Sequence, residues 1–255
     1  MSALVAAFRF ELAVLRRSPG DLMVLVNTPL LTVAFLAITR HAGRPDLDAY
    51  AVLAPAVMAL WHMAVLVSGE IVDRDRWAGT LELLLATPTA LAVVVLGRIL
   101  AVTLFSLLSL AEAIVVARVG FGVTLTVHHP WLFVATLLVT AVATAGWATA
   151  MSGTFVLARS ARTFQNAISY PFFLLGGAIV PVQLLPQRLQ PLCRAVYLSW
   201  ASDLLRASLR PDPVGWWPLR LAAVLGLGAA GFVAGHVLLR WIVDRVRATG
   251  TVTYA

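Results

Sequence analysis

Residues 131–157 read WLFVATLLVTAVATAGWATAMSGTFVL, a run without a single Asp, Glu, Lys or Arg. Wound as an α-helix it rises about 40 Å, more than the ~30 Å hydrocarbon core of a bilayer. It therefore predicts a span that tilts or extends beyond the core. Five further apolar stretches lie outward from it, at 22–39, 50–69, 98–118, 166–185 and 217–241, each bounded by Arg, Asp, Gly or Pro. Apolar residues make up 60% of the 255 and charged residues 12%, against about 45–50% and about 25% in soluble domains. Mean hydropathy is +0.89, and a water-soluble fold of this composition could not cover its surface with polar groups. The expected fold class is an all-α membrane protein with six transmembrane helices in a single transmembrane domain, 1–255.

The same counts exclude several chemistries. All 19 basic residues are Arg. Without Lys there is no P-loop to reach the phosphates of a nucleotide, and no Schiff-base chemistry. The one cysteine, Cys193, rules out an internal disulfide, a CxxC pair and a multi-Cys metal site. No cofactor is expected in this chain. The net charge of +7 is spread as single Arg residues between apolar runs, which reads as flanking charge at a membrane surface rather than a nucleic-acid patch.

Charge placement predicts the orientation. With the N-terminus inside, Arg9, Arg16, Arg17, Arg74, Arg76, Arg98, Arg159, Arg162, Arg240, Arg245 and Arg247 face the cytoplasm. The two short outer loops hold Arg40, Arg44 and Arg118, and five more Arg residues fall between 186 and 220, in a longer outer loop where the rule has less force. Both termini are predicted inside, in a bacterial-type plasma membrane. Residues 2–17 predict an N-terminal amphipathic interfacial helix. Its stripe is Leu4, Phe8, Leu12 and Leu15, with Arg9, Glu11 and Arg16 off it and Ser18-Pro19-Gly20 ending it. No small-x-small site follows 22–39 cleanly, so signal-peptide cleavage is not expected.

The inner loop after the second span carries the most specific pattern, Glu70-Ile-Val-Asp-Arg-Asp-Arg-Trp-Ala-Gly-Thr-Leu-Glu-Leu-Leu-Leu-Ala-Thr-Pro88. Gly79 breaks the preceding element, Thr80 can cap a new helix, and Glu82 sits in its first turn where the dipole favours a negative charge. Leu81, Leu84 and Leu85 share one face, and Pro88 ends the element. The prediction is a short cytoplasmic helix at about 80–87, too short to stand alone in water and in need of a partner. The charges before it, Glu70, Asp73, Arg74, Asp75 and Arg76, read either as a solvated run or as ion pairs that position the helix. From Thr89 one unbroken helix is expected to about Val119, with Arg98 at the water boundary.

Several polar residues inside the apolar runs invite sharper readings. Glu112 is either a functional carboxylate or a structural one, hydrogen-bonded to a neighbour or snorkelling outward. His62 and His236 lack a second ligand at metal spacing, and His128-His129 lack a third; cavity lining or satisfied polar contacts are the plainer readings. Gly231 and Gly235 form a GxxxG that packs helices either within the chain or between chains. Pro171, Pro181 and Gly176-Gly177 interrupt the fifth span, which requires protein or a wet cavity to satisfy the freed backbone. Residues 186–213 interleave Leu192, Val196, Leu204 and Leu205 with Arg188, Arg194, Arg206 and Arg210, predicting an outer helical hairpin on the membrane surface before the last span.

Glu70, Arg74, Arg76, Gly79-Thr80-Leu81-Glu82-Leu83-Leu84 and Pro88 together resemble the signature of ABC type-2 permeases, the membrane-spanning subunits of ATP-binding-cassette exporters. Pro171-Phe-Phe-Leu-Leu-Gly-Gly-Ala-Ile-Val-Pro181 with Leu185-Pro186 is similar to that family's fifth-span motif, and the likeness covers nearly the whole chain. Two departures stand out: Leu175-Gly176 replaces Leu-Ser-Gly, and Tyr197-Leu-Ser-Trp200 lacks the Pro common before the closing Leu205-Arg206. The resemblance implies a non-catalytic transport subunit. A coupling helix carrying Gly79, Thr80, Leu81, Glu82, Leu84, Leu85 and Pro88 would rest on a separate ABC ATPase subunit, present in two copies, which binds ATP and Mg. A second permease subunit, identical or related, would complete a path through the lipid bilayer. Pathway or gate candidates are Glu112, Pro171, Gly176, Gly177, Pro181 and Pro186. The expected cargo is a hydrophobic compound: a drug, lipid or lipid-linked glycan. Two alternatives stay open. An ATP-independent secondary transporter would need midplane ion sites, hinted at by Glu112 and the fifth-span breaks. A membrane-embedded enzyme would need paired carboxylates, a Ser/His dyad or HExxH, none of which the sequence contains.

Overall fold

The computed structural model describes residues 2–17, 23–77, 79, 91–157 and 161–249, with the side chains of 23–25, 66–77, 155–157, 161–164, 166 and 246–249 outside that description. The described residues form α-helices joined by turns and two short 3₁₀ segments, with no strand among them. In chain order the helices are α1 (Ala3–Leu15), α2 (Met23–His41), α3 (Asp48–Trp77), α4 (Leu91–Ser106), α5 (Leu108–Phe121), α6 (Pro130–Leu157), α7 (Ala161–Leu175), α8 (Gln190–Arg194), α9 (Tyr197–Ala207) and α10 (Trp217–Thr249). Among the described residues, four stretches are long and apolar enough to cross a membrane, Pro45–Val65, Leu91–Phe121, Pro130–Thr154 and Trp217–Arg245.

Two expected spans are not among these four. Helix α2 is 19 residues long, its first three side chains outside those described. The fifth expected span, 166–185, is not one continuous helix, because α7 stops at Leu175 after 15 residues. Its end is a Schellman turn. The Ala178 N–H donates to the Phe173 carbonyl (3.1 Å), while Gly177 sits at φ +63, a left-handed conformation that only glycine adopts without strain. Beyond it Pro181 leads into the 3₁₀ segment Val182–Leu184.

The helix expected to run unbroken from 89 to 119 is also interrupted, at Leu107. Neither Pro nor Gly lies there. The Thr103 hydroxyl donates to the Ile99 carbonyl (3.0 Å), Ser106 to Thr103 (2.7 Å) and Ser109 to Ser106 (2.6 Å). Meanwhile the Leu107 and Leu110 N–H groups take carbonyls three residues back, at 3.3 and 3.1 Å. Hydroxyls that compete for the ladder carbonyls tighten the turn and divide α4 from α5.

Helix α6 is the hub. It packs along α10 and also touches α3, α4 and α9. Glycines let α6 and α10 meet backbone to backbone: a Cβ on Gly146 would stand 2.3 Å from the Gly228 carbonyl oxygen, and one on Gly235 2.6 Å from the Ala150 nitrogen. The GxxxG of α10 is thus occupied within the chain. The Trp147 indole seals the seam by donating to the Leu227 carbonyl (3.0 Å). Thr136, Thr140 and Thr144 on α6 each return their hydroxyl to the carbonyl four residues earlier (2.7, 2.6 and 2.7 Å), so these buried polar groups are satisfied by their own helix.

Helix α1 docks on α4, with a face that keeps Leu15 of the expected stripe but is turned toward Ala7 and Glu11. Ala7, Glu11 and Leu15 are buried, whereas Phe10 is 56% exposed and Leu4, Phe8 and Leu12 are half-buried. Glu11 turns inward because its Oε2 accepts from the Arg98 Nε at 2.6 Å, both side chains buried. Arg98 therefore lies inside the packing, and it also sits 5.3 Å from the Phe10 ring.

Candidate functional site

Three helices, α2, α3 and α7, line an open cavity of about 210 Å³. Leu31, Pro55, Met58, Ala59 and Phe173 give it apolar walls; Asn27, Thr28, His62 and Ser169 bring polar groups, and Tyr170 completes the lining. The mixture matches what a ligand pocket needs, mostly apolar surface with a few fixed polar groups to orient the guest.

The α7 wall is held by α3. The Trp61 indole donates to the Ser169 hydroxyl (3.3 Å) and the Gln165 amide to the Val65 carbonyl (3.1 Å). The Trp61 ring stacks on Phe172, centroids 3.7 Å apart with planes 11° from parallel. Phe172 in turn meets Tyr197 (5.8 Å) and Trp147 (6.4 Å), so one aromatic cluster joins α3, α6, α7 and α9. The Tyr197 hydroxyl donates to Thr144 Oγ1 at 2.8 Å, and this bond ties the start of α9 to α6.

Helix α9 is not the surface amphipath its sequence implied. Tyr197, Leu198, Ser199, Ala201, Ser202, Leu204, Leu205 and Arg206 are all buried, nearly all the way round, as expected of a helix inserted among others. It packs on α10, α6, α3 and α7. The short α8 is tied to it by the Arg194–Asp203 ion pair (2.8 Å) and by the Trp200 indole donating to the Arg194 carbonyl (2.9 Å).

Of the sequence-predicted site residues, Thr80, Leu81, Glu82, Leu84, Leu85 and Pro88 lie outside the described residues. Gly79 is exposed, at φ +65. The backbone of Glu70, Asp73, Arg74, Asp75 and Arg76 is the last part of α3, which runs to Trp77; their side chains are outside the description. Glu112, on α5, is half-buried, and its Oε2 is buried without a hydrogen-bond partner among the described residues. Gly176 and Gly177 are buried at the broken end of α7, Pro171 is exposed within that helix, Pro181 is half-buried and Pro186 exposed. His128 and His129 spend ring nitrogens on the carbonyls of Leu209 (2.9 Å) and Asp212 (3.0 Å), and no metal-binding cluster occurs among the described residues.

Sequence reasoning missed Asn27, Ser169 and Tyr170, which carry no signal outside their three-dimensional setting. It also placed Arg206 on a solvated face. The guanidinium instead lies 4.2 Å from the Tyr50 ring and donates to the carbonyls of Gly177 and of Ala178, the latter at 3.2 Å.

A bundle of long apolar helices, one of them broken beside a cavity, is the frame of a multi-pass membrane transport protein. The chain belongs to the ABC-2 type transporter family, whose profile matches residues 3–209. It is accordingly a permease subunit of the ATP-binding-cassette class, a membrane domain whose kind associates with an ABC ATPase. No curated protein matches the chain.

Proposed function

We propose that the chain forms half of an export pathway in a bacterial-type plasma membrane, paired with an identical or related permease and driven by two copies of a separate ATPase subunit. The cargo is a hydrophobic compound with a small polar portion, a drug, lipid or lipid-linked glycan. The cavity between α2, α3 and α7 carries this reading, since its apolar walls suit a greasy guest and Asn27 and His62 offer donors and acceptors to one polar end.

Energy arrives through residues 80–87, where the leucine face Leu81, Leu84 and Leu85 seats in the ATPase. The abundance of Arg in the segments assigned to the cytoplasm supports the same orientation, with both termini inside. Closure of the ATPase pair displaces the coupling segment, and α3 and α4, which flank it in the chain, carry that displacement toward the cavity.

Co-expression with the ATPase subunit tests both halves of the proposal. Leu81→Asp and Leu84→Asp are expected to abolish ATPase association and export while the chain still inserts. Ala59→Phe, which fills the cavity, is expected to keep the ATPase bound but cut export by about tenfold or more. Unchanged export in all three would sink the reading.

A further inference from the structure

We propose that Arg206 is a positioning residue for transport: its guanidinium clasps the broken end of α7 to α9 and so sets whether that end of the pathway is closed. This rests on the transport reading above but concerns a contact that the reading does not use.

The case begins just past the Schellman turn that ends α7. The carbonyls of Phe172, Phe173 and Leu174 in the last turn are taken by the N–H groups of Gly176, Ala178 and Gly177, whereas those of Gly177 and Ala178 lie beyond the helix, and inside a membrane bundle they must be met by protein. Arg206 meets them from another element, donating through Nη2 to both. Its charge lies against the Tyr50 ring of α3, 4.2 Å away, a desolvated cation–π geometry. One side chain, 6% exposed, thus holds α3, α7 and α9 together.

The clasp is incomplete, which makes it releasable. Nε and Nη1 of Arg206 have no hydrogen-bond partner among the described residues, and neither do the hydroxyls of Ser199 and Ser202. These three residues fall at i, i+3 and i+7 on one side of α9. Asp203, the nearest acid on that helix, is engaged by Arg194. Each buried donor left unmet is costly, and all of them regain water if α9 withdraws. The seated helix is held by Leu198, Leu204, Leu205 and the Tyr197 bond against this polar penalty, and the Arg206 cap tips the balance toward closure.

Cys193, fully buried on α8 and the only thiol in the chain, is a native reporter of that seating. Its modification by a water-soluble maleimide is followed on the purified full chain in detergent. Arg206→Gln is expected to raise the rate about tenfold or more, because opening exposes the thiol. Arg206→Lys should fall between that and wild type, since an ammonium cannot fork two carbonyls while lying flat on a ring. Ile99→Ala, a core truncation at the other end of the bundle, should stay within about twofold of wild type.

Equal rates in wild type and Arg206→Gln would overturn the proposal, as would an Ile99→Ala rate matching Arg206→Gln. If Arg206→Gln does not accumulate, Arg206→Lys and Tyr50→Leu decide: wild-type rates in both overturn it, and faster labelling in both supports it. The assay needs neither ATPase nor cargo. Failed export alongside an intact labelling difference therefore counts against the transport reading alone.

Discussion

Glu11 and Arg98 show how a single pair can reset a helix. Two charges drawn out of water attract strongly, but removing one strands the other, at a cost of about 3–5 kcal/mol. Glu11→Leu and Arg98→Met are each expected to lower the melting temperature of the detergent-purified chain substantially. The double variant should recover a large part of the loss, because an apolar pair of similar volume is often neutral there. Additive losses in the double variant would show that the pairing is not what holds α1. Neither residue advertises its partner in the sequence. They are 87 positions apart, and a lone Glu opposite an apolar stripe reads as a solvated residue until something in the fold claims it. Arg206 is illegible for the same reason: its acceptors are the backbone carbonyls of Gly177 and Ala178, in the turn after α7 ends at Leu175.

At the scale of elements, hydropathy located the helices far better than their breaks. The charge-free stretch 131–157 coincides with α6, Pro130–Leu157, because an apolar run with no competing signal has one way to satisfy its backbone in lipid. The division at Leu107 had no such signature, since Thr103, Ser106 and Ser109 are common in membrane helices that stay straight. The α6–α10 seam depends on missing side chains, and the prediction follows from position. Gly228→Val places a Cβ 2.5 Å from the Ala143 Cα, whereas Gly226 has nothing within 4 Å. Gly228→Val is expected to cost about 1–3 kcal/mol or more through overpacking. Gly226→Val, facing open space on the same helix, should melt close to wild type, and a comparable loss at both sites would argue against the seam.

Across the whole molecule, the class of protein was readable from composition and two motifs, while the cavity was not. Asn27, His62 and Ser169 come from three helices, and only the packing of α2 and α7 against α3 brings them to one space. The Glu11–Arg98 bridge has a further consequence, for the order in which the chain is made. The ribosome delivers α1 well before Arg98, which leaves the exit tunnel only after two more long helices have been threaded. Until then the carboxylate lacks its Arg98 partner, so the nascent α1 is expected to wait in the headgroup layer. A cysteine introduced as Ala7→Cys should react readily in chains truncated after Trp77 and become shielded once synthesis passes Phe121. Shielding in both would mean that α1 finds its seat without that bridge. On this scheme α1 is among the last to dock, although it is translated before its partners, and a late-arriving arginine serves as the check that enough of the bundle exists to receive it.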